Sequence, residues 1–300
     1  MKILVTGGNG FIGQHLLKEL SKTEHIIAGI VRHKKINFKS IKLINGDLGK
    51  VEEMRYEINK FQPEVIVHLA WHGIPNFSYS MCQNNLFDAI HFFDWIFENT
   101  ECTKIILSGS CFEYGKKKGI CKEFDPVKLD SYFTWAKYSL NQYLWLKCVE
   151  ENVIFNWFRL FYVYGPGQRE GSLIPTLIKS IGEKKIPLIN TPLNKNDFVY
   201  VGDIAKTFAN AIDVDIPSGV YNLGSGKATS VYDICRIVEE QLWSNKNISN
   251  QILDSGKQDE TVNFWADMNK TRQAFNNSCD TVLEDGIKDH INCIYTDLSL

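Results

Sequence analysis

Three closely spaced glycines near the amino terminus constrain the fold of this chain more than any other feature. Gly7, Gly10 and Gly13 follow an apolar run at residues 3–5, and residues 11–20 continue with apolar side chains at helical spacing. Such a turn lets the backbone approach a diphosphate, and the following helix aims its first amides at the negative charge. The order strand, glycine turn, helix therefore predicts a dinucleotide-binding unit, while an ordinary tight strand-to-helix turn is the alternative.

Apolar runs of strand length alternate with amphipathic stretches through the first half of the chain. The predicted strands cover residues 3–5, 26–31, 41–44, 65–69, 105–107 and 154–160. The predicted helices cover residues 11–20, 51–61, 81–99 and 133–150. This alternation predicts an α/β fold with a Rossmann-type, doubly wound parallel sheet.

The pattern changes after Tyr164-Gly165-Pro166-Gly167, where we expect a second domain to begin. The elements predicted beyond this point are a helix at 172–182, a short strand at 186–189, a strand-helix-strand unit at 197–201, 202–212 and 220–223, a helix at 231–242 and a loop at 244–249. A dinucleotide-binding domain would then span residues 1–165 plus about 196–223. A smaller, discontinuous C-terminal substrate domain would span about 166–195 plus 224–300.

Charge and composition argue against several classes of partner and site. The net charge is −2 and the pI is near 6.4, so nothing favours nucleic acid or an anionic membrane as the main partner. The eight cysteines contain no C-x-x-C pair, and no spacing of His and Cys predicts a metal site. No apolar run reaches the roughly 20 residues of a membrane-spanning helix, and the first residues leave no room for a signal peptide. These features predict a cytoplasmic protein that binds small molecules.

The end of the second predicted strand bears on the choice of cofactor. A ribose 2′-hydroxyl is usually held there by a carboxylate, whereas a 2′-phosphate requires cations. Arg32 and His33 follow this strand, and a guanidinium can bind a phosphate in a forked geometry. We therefore favour NADP(H) over NAD(H), with a solvated basic turn as the alternative interpretation. Asp47 ends the third predicted strand and either accepts from the adenine amino group or caps a helix.

Four further motifs occur in order along the chain. They are His68-Leu69-Ala70, Ser108-Gly109-Ser110, Tyr164-Gly165-Pro166 and Asp197-Phe198-Val199-Tyr200-Val201-Gly202-Asp203. With the glycine turn, they make the chain resemble the extended short-chain dehydrogenase/reductases over nearly its whole length. Within that superfamily it is similar to the NAD-dependent epimerase/dehydratase group, which acts on nucleotide-activated sugars. The resemblance implies an NAD(P)-dependent oxidoreductase whose catalysis uses a Ser or Thr, a Tyr and a Lys.

The resemblance assigns the catalytic positions residue by residue. Ser110 stands four residues before Tyr114-Gly115, as the Ser or Thr of the family does, and Lys137 matches the Lys of the family. The family's Tyr precedes that Lys by four residues, where this chain has Phe133. Phenylalanine cannot donate a proton, so three explanations compete. They are a deliberate replacement of the tyrosine, which we rank first, an enzyme that uses Tyr132, and a cofactor-binding protein without turnover.

Motif positions and the resemblance together imply which residues meet each ligand. The predicted cofactor contacts are Gly7, Gly10, Phe11, Ile12, Gly13, Arg32, His33, Asp47, Leu48, Leu69, Ala70, Trp71 and Lys137. The predicted contacts with a nucleotide-diphosphate sugar are His72, Asn76, Ser110, Glu113, Arg169, Asn196 and Arg236. A salt-bridged turn carboxylate is an equal interpretation of Glu113. Asn196 also departs from the family, which usually has an Arg at this position.

The residues after Ser110 bear on the type of reaction. Dehydratases of this group carry an Asp-Glu pair where this chain has Cys111 and Phe112, so dehydration is not expected. The Arg32 signal favours reduction, and the layout is similar to that of CDP-paratose and CDP-abequose synthases. We predict NADPH-dependent reduction of a nucleotide-linked 4-keto-6-deoxy sugar in deoxysugar biosynthesis for a surface polysaccharide such as O-antigen. The alternatives are an NAD-dependent nucleotide-sugar 4-epimerase and a non-catalytic NADP-binding protein.

Aromatic side chains are numerous on the predicted helices at 81–99 and 133–150. In related enzymes these two helices pair with their copies in a four-helix interface, which exposed aromatic residues would suit. We therefore expect a homodimer, with core packing as the alternative explanation for these aromatic residues.

Overall fold

A seven-stranded parallel sheet lies at the centre of the molecule. The computed structural model describes residues 1–32, 38, 40–243, 247–255, 263–275 and 279–297. The strands are β1 (Lys2–Thr6), β2 (Ile26–Val31), β3 (Ile41–Asn45), β4 (Val65–His68), β5 (Lys104–Ser110), β6 (Gly119–Cys121), β7 (Ile154–Leu160), β8 (Tyr162–Tyr164), β9 (Lys195–Asn196), β10 (Phe198–Tyr200), β11 (Gly219–Leu223), β12 (Thr229–Ser230) and β13 (Phe264–Ala266). The helices are α1 (Phe11–Leu20), α2 (Arg55–Phe61), α3 (Tyr79–Asn99), α4 (Tyr132–Glu150), α5 (Leu173–Gly182), α6 (Val201–Asp213), α7 (Val231–Leu242), α8 (Ile248–Ser255), α9 (Asn269–Phe275) and α10 (Leu283–Asp297), with 3₁₀ helices at Leu48–Glu53 and Cys111–Tyr114. Within the described ranges, none of these helices combines the length and the apolar character that crossing a membrane requires.

The strand order of the main sheet is β3-β2-β1-β4-β5-β7-β11, and every neighbouring pair is parallel. From β1 the chain first builds outward through β2 and β3, and it then returns to the other side of β1 with β4. The direction of winding therefore reverses beside β1. Ligands of open α/β sheets bind at the carboxyl ends of the strands where this reversal occurs. The predicted Rossmann-type fold class is confirmed.

Side chains of the central strands alternate between two apolar cores, one on each face of the sheet. Ile3 and Val5 of β1 join one core with α1 and α6, whereas Leu4 joins the other core with α3 and α4. Helices α5, α7, α8 and α10 surround a third core, to which Ile178 and Ile234 belong. This third core lies in the part of the chain assigned to a substrate domain, and the division into two domains stays a prediction.

Two predicted elements between the main strands are wrong in part. The helix predicted at 51–61 is formed only in part, because residues 51–53 end a 3₁₀ helix, Met54 separates the two helices, and α2 begins at Arg55. The strand predicted at 186–189 is not formed within the described residues. Ile186 and Leu188 in this segment are 52% and 90% exposed, whereas Ile189 packs against the core formed around α5 and α7 and not against a neighbouring strand.

Two predictions in the second half of the chain also need correction. The loop predicted at 244–249 overlaps the start of α8, where Ile248 N and Ser249 N donate to the buried Glu239 carboxylate at 2.7 and 3.1 Å. That carboxylate satisfies the first amides of a helix whose sequence alone is polar and turn-like. The strand predicted at 197–201 exists as β10, but it pairs with β8 and does not join the main sheet.

The glycine turn holds α1 close to the ends of β1 and β4. Gly7 has a positive φ of 70°, and a Cβ atom there would lie 2.8 Å from the Ala70 backbone nitrogen. A Cβ atom on Gly13 would lie 2.1 Å from the carbonyl oxygen of Gly7. Only residues without side chains allow this approach. The turn therefore presents backbone atoms at the carboxyl end of the sheet.

Candidate active site

A cleft opens at the carboxyl ends of β1, β2 and β4, where the winding reverses. Within the described residues it is lined by Gly7, Asn9, Gly10, Ile30, Arg32, Gly46, Asp47, Leu48, His68, Leu69, Ala70, Trp71, His72, Asn85 and Asp88. Most of the residues expected to contact a dinucleotide thus meet in one cleft, and the contact itself stays a prediction. Phe11, Ile12 and Gly13 form the first turn of α1 beside the glycine turn. His33 lies outside the described residues.

His68 lies buried at the base of this cleft, at the end of β4. Its Nδ1 atom is 3.0 Å from Thr6 Oγ1, and the Ala70 backbone amide donates to the same hydroxyl at 3.3 Å. Burial, with a smaller effect from the charge of Lys137, lowers the pKa of His68 to about 3. The imidazole is therefore neutral at physiological pH and serves to join β4 to β1 beneath the cleft.

Arg32 extends from the end of β2 toward the loop that follows β4. Its guanidinium contacts Nδ1 of the exposed His72 ring. The structure places His72 beside Arg32 in the cleft at the end of β2, and the expected contact of His72 with the sugar stays a prediction. Asp47 lines the same cleft, but its carboxylate accepts from Gly49 N at 3.0 Å and caps the following 3₁₀ helix. The helix-cap interpretation of Asp47 thus matches its observed contact, and the adenine contact stays a prediction.

Ser110 and Lys137 stand on β5 and α4, which contact each other. The Ser110 hydroxyl accepts from the backbone amide two residues on at 3.2 Å, as a strand-end cap does. Lys137 is buried, its Nζ donates to the Ser108 carbonyl at 2.9 Å, and it lies 4.1 Å from the centre of the Trp71 ring. Burial lowers the pKa of Lys137 to about 7, although the negative charge of Glu113 opposes this shift. Both protonation states of the amine are therefore accessible near neutral pH.

Phe133 occupies the position one helical turn before Lys137 and points inward. Its side chain is 6% exposed, and its ring centre lies 5.4 Å from that of Trp71 and 4.7 Å from that of Phe77. Tyr132 points outward, with 55% exposure, and packs against Tyr79 at 5.3 Å. One residue on a helix turns a side chain by about 100°. Tyr132 is therefore not placed to replace the missing phenol, and the explanation that relies on it is not supported.

Glu113 does not face a substrate. Its side chain is 1% exposed, and one oxygen accepts from Ser110 N at 2.9 Å and from Trp157 Nε1 at 3.0 Å. The other oxygen pairs with Arg159 Nε at 2.7 Å. Because the carboxylate is buried and both of its oxygens are engaged, the expected substrate contact is wrong. The salt-bridged turn carboxylate is the interpretation that the structure supports.

The remaining residues expected to bind the sugar nucleotide have different surroundings. Asn76 accepts through Oδ1 from the backbone amide two residues on at 3.0 Å, and Arg236 donates to Glu240 at 2.5 Å on the surface of α7. These local contacts explain both residues without a substrate, and Arg236 lies on a groove separate from the cleft. Arg169 is exposed after the glycine-proline turn, and Asn196 pairs with β12 from β9. A substrate contact by Arg169 or Asn196 stays a prediction.

Sequence reasoning missed Arg159 and Thr6. Arg159 lies within the apolar run at 154–160, and a charge in a strand buried on both faces requires a partner. That requirement was the available signal for a nearby carboxylate. Thr6 ends an apolar strand directly before the glycine turn, and only the fold shows that its hydroxyl meets His68.

Glu113→Gln is expected to lower the free energy of unfolding by about 3–5 kcal/mol, because the buried guanidinium of Arg159 loses its counter-charge. Urea unfolding of both forms measures the difference. The matched control is Glu52→Gln, which breaks an exposed ion pair with Arg55 and is expected to cost less than about 1 kcal/mol. Native stability combined with weaker sugar-nucleotide binding in the Glu113 variant would instead restore a substrate role.

Lys137→Met is expected to change how stability depends on pH. The pKa of Lys137 is about 7 in the folded chain and 10.5 as its ordinary value, so between these values only the unfolded chain holds the proton. The native chain should therefore gain up to about 1.4 kcal/mol per pH unit relative to the variant across this window. Unfolding at about pH 6.5, 8 and 9.5, values that cover most of this window, gives the two curves. The control is Lys147→Met, at a more exposed lysine of α4, whose free energy of unfolding should follow pH in parallel with that of the native chain. Parallel curves for Lys137→Met would show that the Lys137 amine stays charged.

Comparison with known proteins agrees with this geometry. The NAD-dependent epimerase/dehydratase family profile matches residues 3–224. A dTDP-4-dehydro-6-deoxyglucose reductase from Escherichia coli is 24% identical over 259 residues, 80% of this chain and 81% of that protein. A GDP-L-fucose synthase from Azorhizobium caulinodans is 27% identical over 275 residues, 82% of each protein. The crystal structure of a UDP-glucose 4-epimerase with UDP-glucose, from Thermotoga maritima, superposes with a TM-score of 0.87 at 21% identity and covers 99% of this chain and 100% of that one. This chain therefore belongs to the NAD-dependent epimerase/dehydratase family, extended short-chain dehydrogenase/reductases that act on nucleotide sugars.

Proposed function

We propose that this chain is an NADP(H)-dependent reductase that converts a nucleotide-linked 4-keto-6-deoxy sugar into the corresponding alcohol, for a surface polysaccharide. The observation that carries the proposal is the position of Arg32, at the end of β2 in the lining of the cleft. A cation there suits a ribose 2′-phosphate, whereas a carboxylate suits the 2′-hydroxyl of NAD. The similarity to a reductase of a dTDP-linked 4-dehydro-6-deoxy sugar supports the class of substrate.

The cleft fits a nicotinamide dinucleotide. Gly10 precedes α1 without a capping side chain, which leaves the first amides of the helix for a diphosphate. Gly7 and Gly13 sit where any Cβ atom would collide with backbone, so the turn stays open to close approach. Trp71 Nε1 is buried without a hydrogen-bond partner among the described residues, and it is a donor that a ligand can satisfy. A nicotinamide dinucleotide held here would exchange a hydride with a carbon of the sugar.

The chain's own groups bind and polarise the sugar carbonyl. The Ser110 oxygen accepts one backbone hydrogen bond, and its hydroxyl hydrogen can donate to the carbonyl oxygen. Lys137 places an amine in a buried site beneath, and its ammonium form stabilises negative charge that develops on that oxygen. The ring of Phe133 shields this side of the site from water but has no acidic proton to donate. Proton delivery is therefore the step that this sequence slows.

Phe133→Tyr is expected to raise the rate of NADPH oxidation by about 10²–10⁴-fold, since a positioned general acid contributes this much to a reaction. The assay follows NADPH consumption with CDP-, dTDP-, GDP- and UDP-linked 4-keto-6-deoxy sugars, and the sugar that responds identifies the nucleotide. The matched control is Tyr132→Phe, which removes the neighbouring exposed hydroxyl and should leave the rate unchanged. Equal rates for Phe133 and its Tyr variant would remove residue 133 from proton delivery. Bound NADPH with no oxidation in either form would contradict the reductase.

A cofactor-binding protein without turnover is the second candidate, and the inward position of Phe133 favours it. It predicts that Phe133→Tyr binds the same ligands as the native chain and still does not consume NADPH. A nucleotide-sugar 4-epimerase differs from both in its cofactor. Tightly held NAD on purification would indicate the epimerase, whereas exchangeable NADP would support the reductase.

We further infer a homodimer formed through α3 and α4. These helices pack against each other. Their outer surfaces carry large apolar side chains that are 39–70% exposed, namely Phe87, Trp145, Leu146 and Val149. Burial of such residues against a second copy would remove apolar surface from water. Light scattering at micromolar concentration should give twice the mass of one chain, and Leu146→Glu should give a monomer. A monomeric native chain would contradict this interface.

A further inference from the structure

We propose that His72 and Arg32 together recognise the 2′-phosphate of the cofactor, which makes His72 a residue of cofactor specificity and not of sugar binding. The inference rests on the NADP(H) preference in the proposed function. It adds a second recognition residue from a different part of the chain, the loop between β4 and α3.

The two side chains meet across the cleft. Arg32 follows β2 and His72 follows β4, and the residues are 40 positions apart in sequence. A guanidinium has donors and no acceptor, so Nδ1 of His72 is the acceptor in this contact. When Arg32 turns to a phosphate, this nitrogen is released from the contact. A phosphate in the cleft would then receive hydrogen bonds from both side chains.

The main chain of His72 is held in place by α3. Asn85 Oδ1 accepts from His72 N at 2.6 Å, and Asn85 Nδ2 donates to the His72 carbonyl at 3.0 Å. The same amide nitrogen donates to the Met81 carbonyl at 2.8 Å, which fixes the side chain of Asn85 on its own helix. The imidazole is therefore presented from an anchored loop, although the ring itself is exposed to the cleft.

The carboxylates around the cleft favour a second positively charged group beside Arg32. Asp47 and Asp88 line the cleft, and burial together with the charge of Asp47 raises the pKa of Asp88. His91, and to a smaller extent His72, oppose that shift, so both rings are within electrostatic reach of Asp88, and of these two only His72 lines the cleft. A phosphate entering here is repelled by both acidic groups. Arg32 offers one positive charge in compensation.

His72 can supply the second charge. Among the described residues of the cleft lining, the side chains that can carry positive charge are those of Arg32, His68 and His72. His68 is excluded because it is buried and neutral. A dinucleotide without a 2′-phosphate gives Arg32 no new partner, and the Arg32–His72 contact then persists. A dinucleotide with this phosphate engages both groups, so it is preferred.

The test compares two ligands that differ by one phosphate group, 2′,5′-ADP and 5′-AMP, by isothermal titration calorimetry on the full chain. His72→Asn keeps a polar side chain that can accept from Arg32 but cannot carry a proton charge. It should weaken binding of 2′,5′-ADP about 10-fold, the value of one charge-assisted hydrogen bond, and change 5′-AMP binding less than about twofold. His72→Lys should recover most of the lost affinity. His25→Asn, at a histidine before β2 that pairs with Asp213 and does not line the cleft, is the control and should change neither constant.

Different outcomes separate this inference from the proposed function. Equal weakening of both ligands in His72→Asn would show that His72 only shapes the cleft, and unchanged constants would leave recognition to Arg32 alone. Either result overturns the inference about His72. If the unmodified chain still prefers 2′,5′-ADP over 5′-AMP, the proposed NADP(H) preference stands. A native chain that binds 5′-AMP as tightly as 2′,5′-ADP would overturn the cofactor choice itself. Neither ligand requires turnover, so Phe133 does not affect the result.

Discussion

The buried carboxylate of Glu113 ties β5, the strand that ends at Ser110, to the neighbouring strand β7. It accepts from the Ser110 amide at the end of β5 and pairs with Arg159 in β7, so the two neighbouring strands share one charged group. There is no space for a side chain at position 109, because a Cβ atom on Gly109 would lie 2.1 Å from the indole nitrogen of Trp157. The same nitrogen donates to Glu113. A buried charge that loses its partner costs several kcal/mol. The pair therefore holds the end of β5 in one conformation, and the position of the Ser110 hydroxyl depends on it.

Glu113 and Lys137 show how burial leads to opposite outcomes for two charged groups in one site. Glu113 is paired and hydrogen-bonded, which makes it a structural group. Lys137 has no ion pair within the described part of the chain, and its amine rests on the Ser108 carbonyl and the face of Trp71. An amine in such a site loses part of its preference for the charged form. Beside it, Phe133 contributes only an apolar surface, so the site combines one titratable amine with an apolar wall.

Several features of the fold and the site could be predicted because they depend on local pattern. The alternation of apolar runs predicted the strands at 26–31 and 154–160 and the helix at 11–20, since burial repeats with the period of each element. The caps at Asp47 and Ser110 were among the interpretations considered, because a cap joins residues two or three positions apart. The contact between His72 and Arg32 could not be predicted, because the two residues are 40 positions apart and only the fold brings them together.

The sequence by itself determined the order of elements, the glycine turn, the family and the absence of a tyrosine at position 133, because each is read from neighbouring residues or from motif spacing. Only the tertiary structure decided what the charged side chains do. The partners of Glu113 and Arg32 lie 46 and 40 positions away, on strands and loops brought together by the parallel sheet. A side chain's charge and size are local properties, whereas its burial and its partner are set by the packing of distant segments. For this reason the sequence could propose candidate positions by motif spacing, whereas only the fold showed that Glu113 is a buried structural group and that Arg32 and His72 line the same cleft.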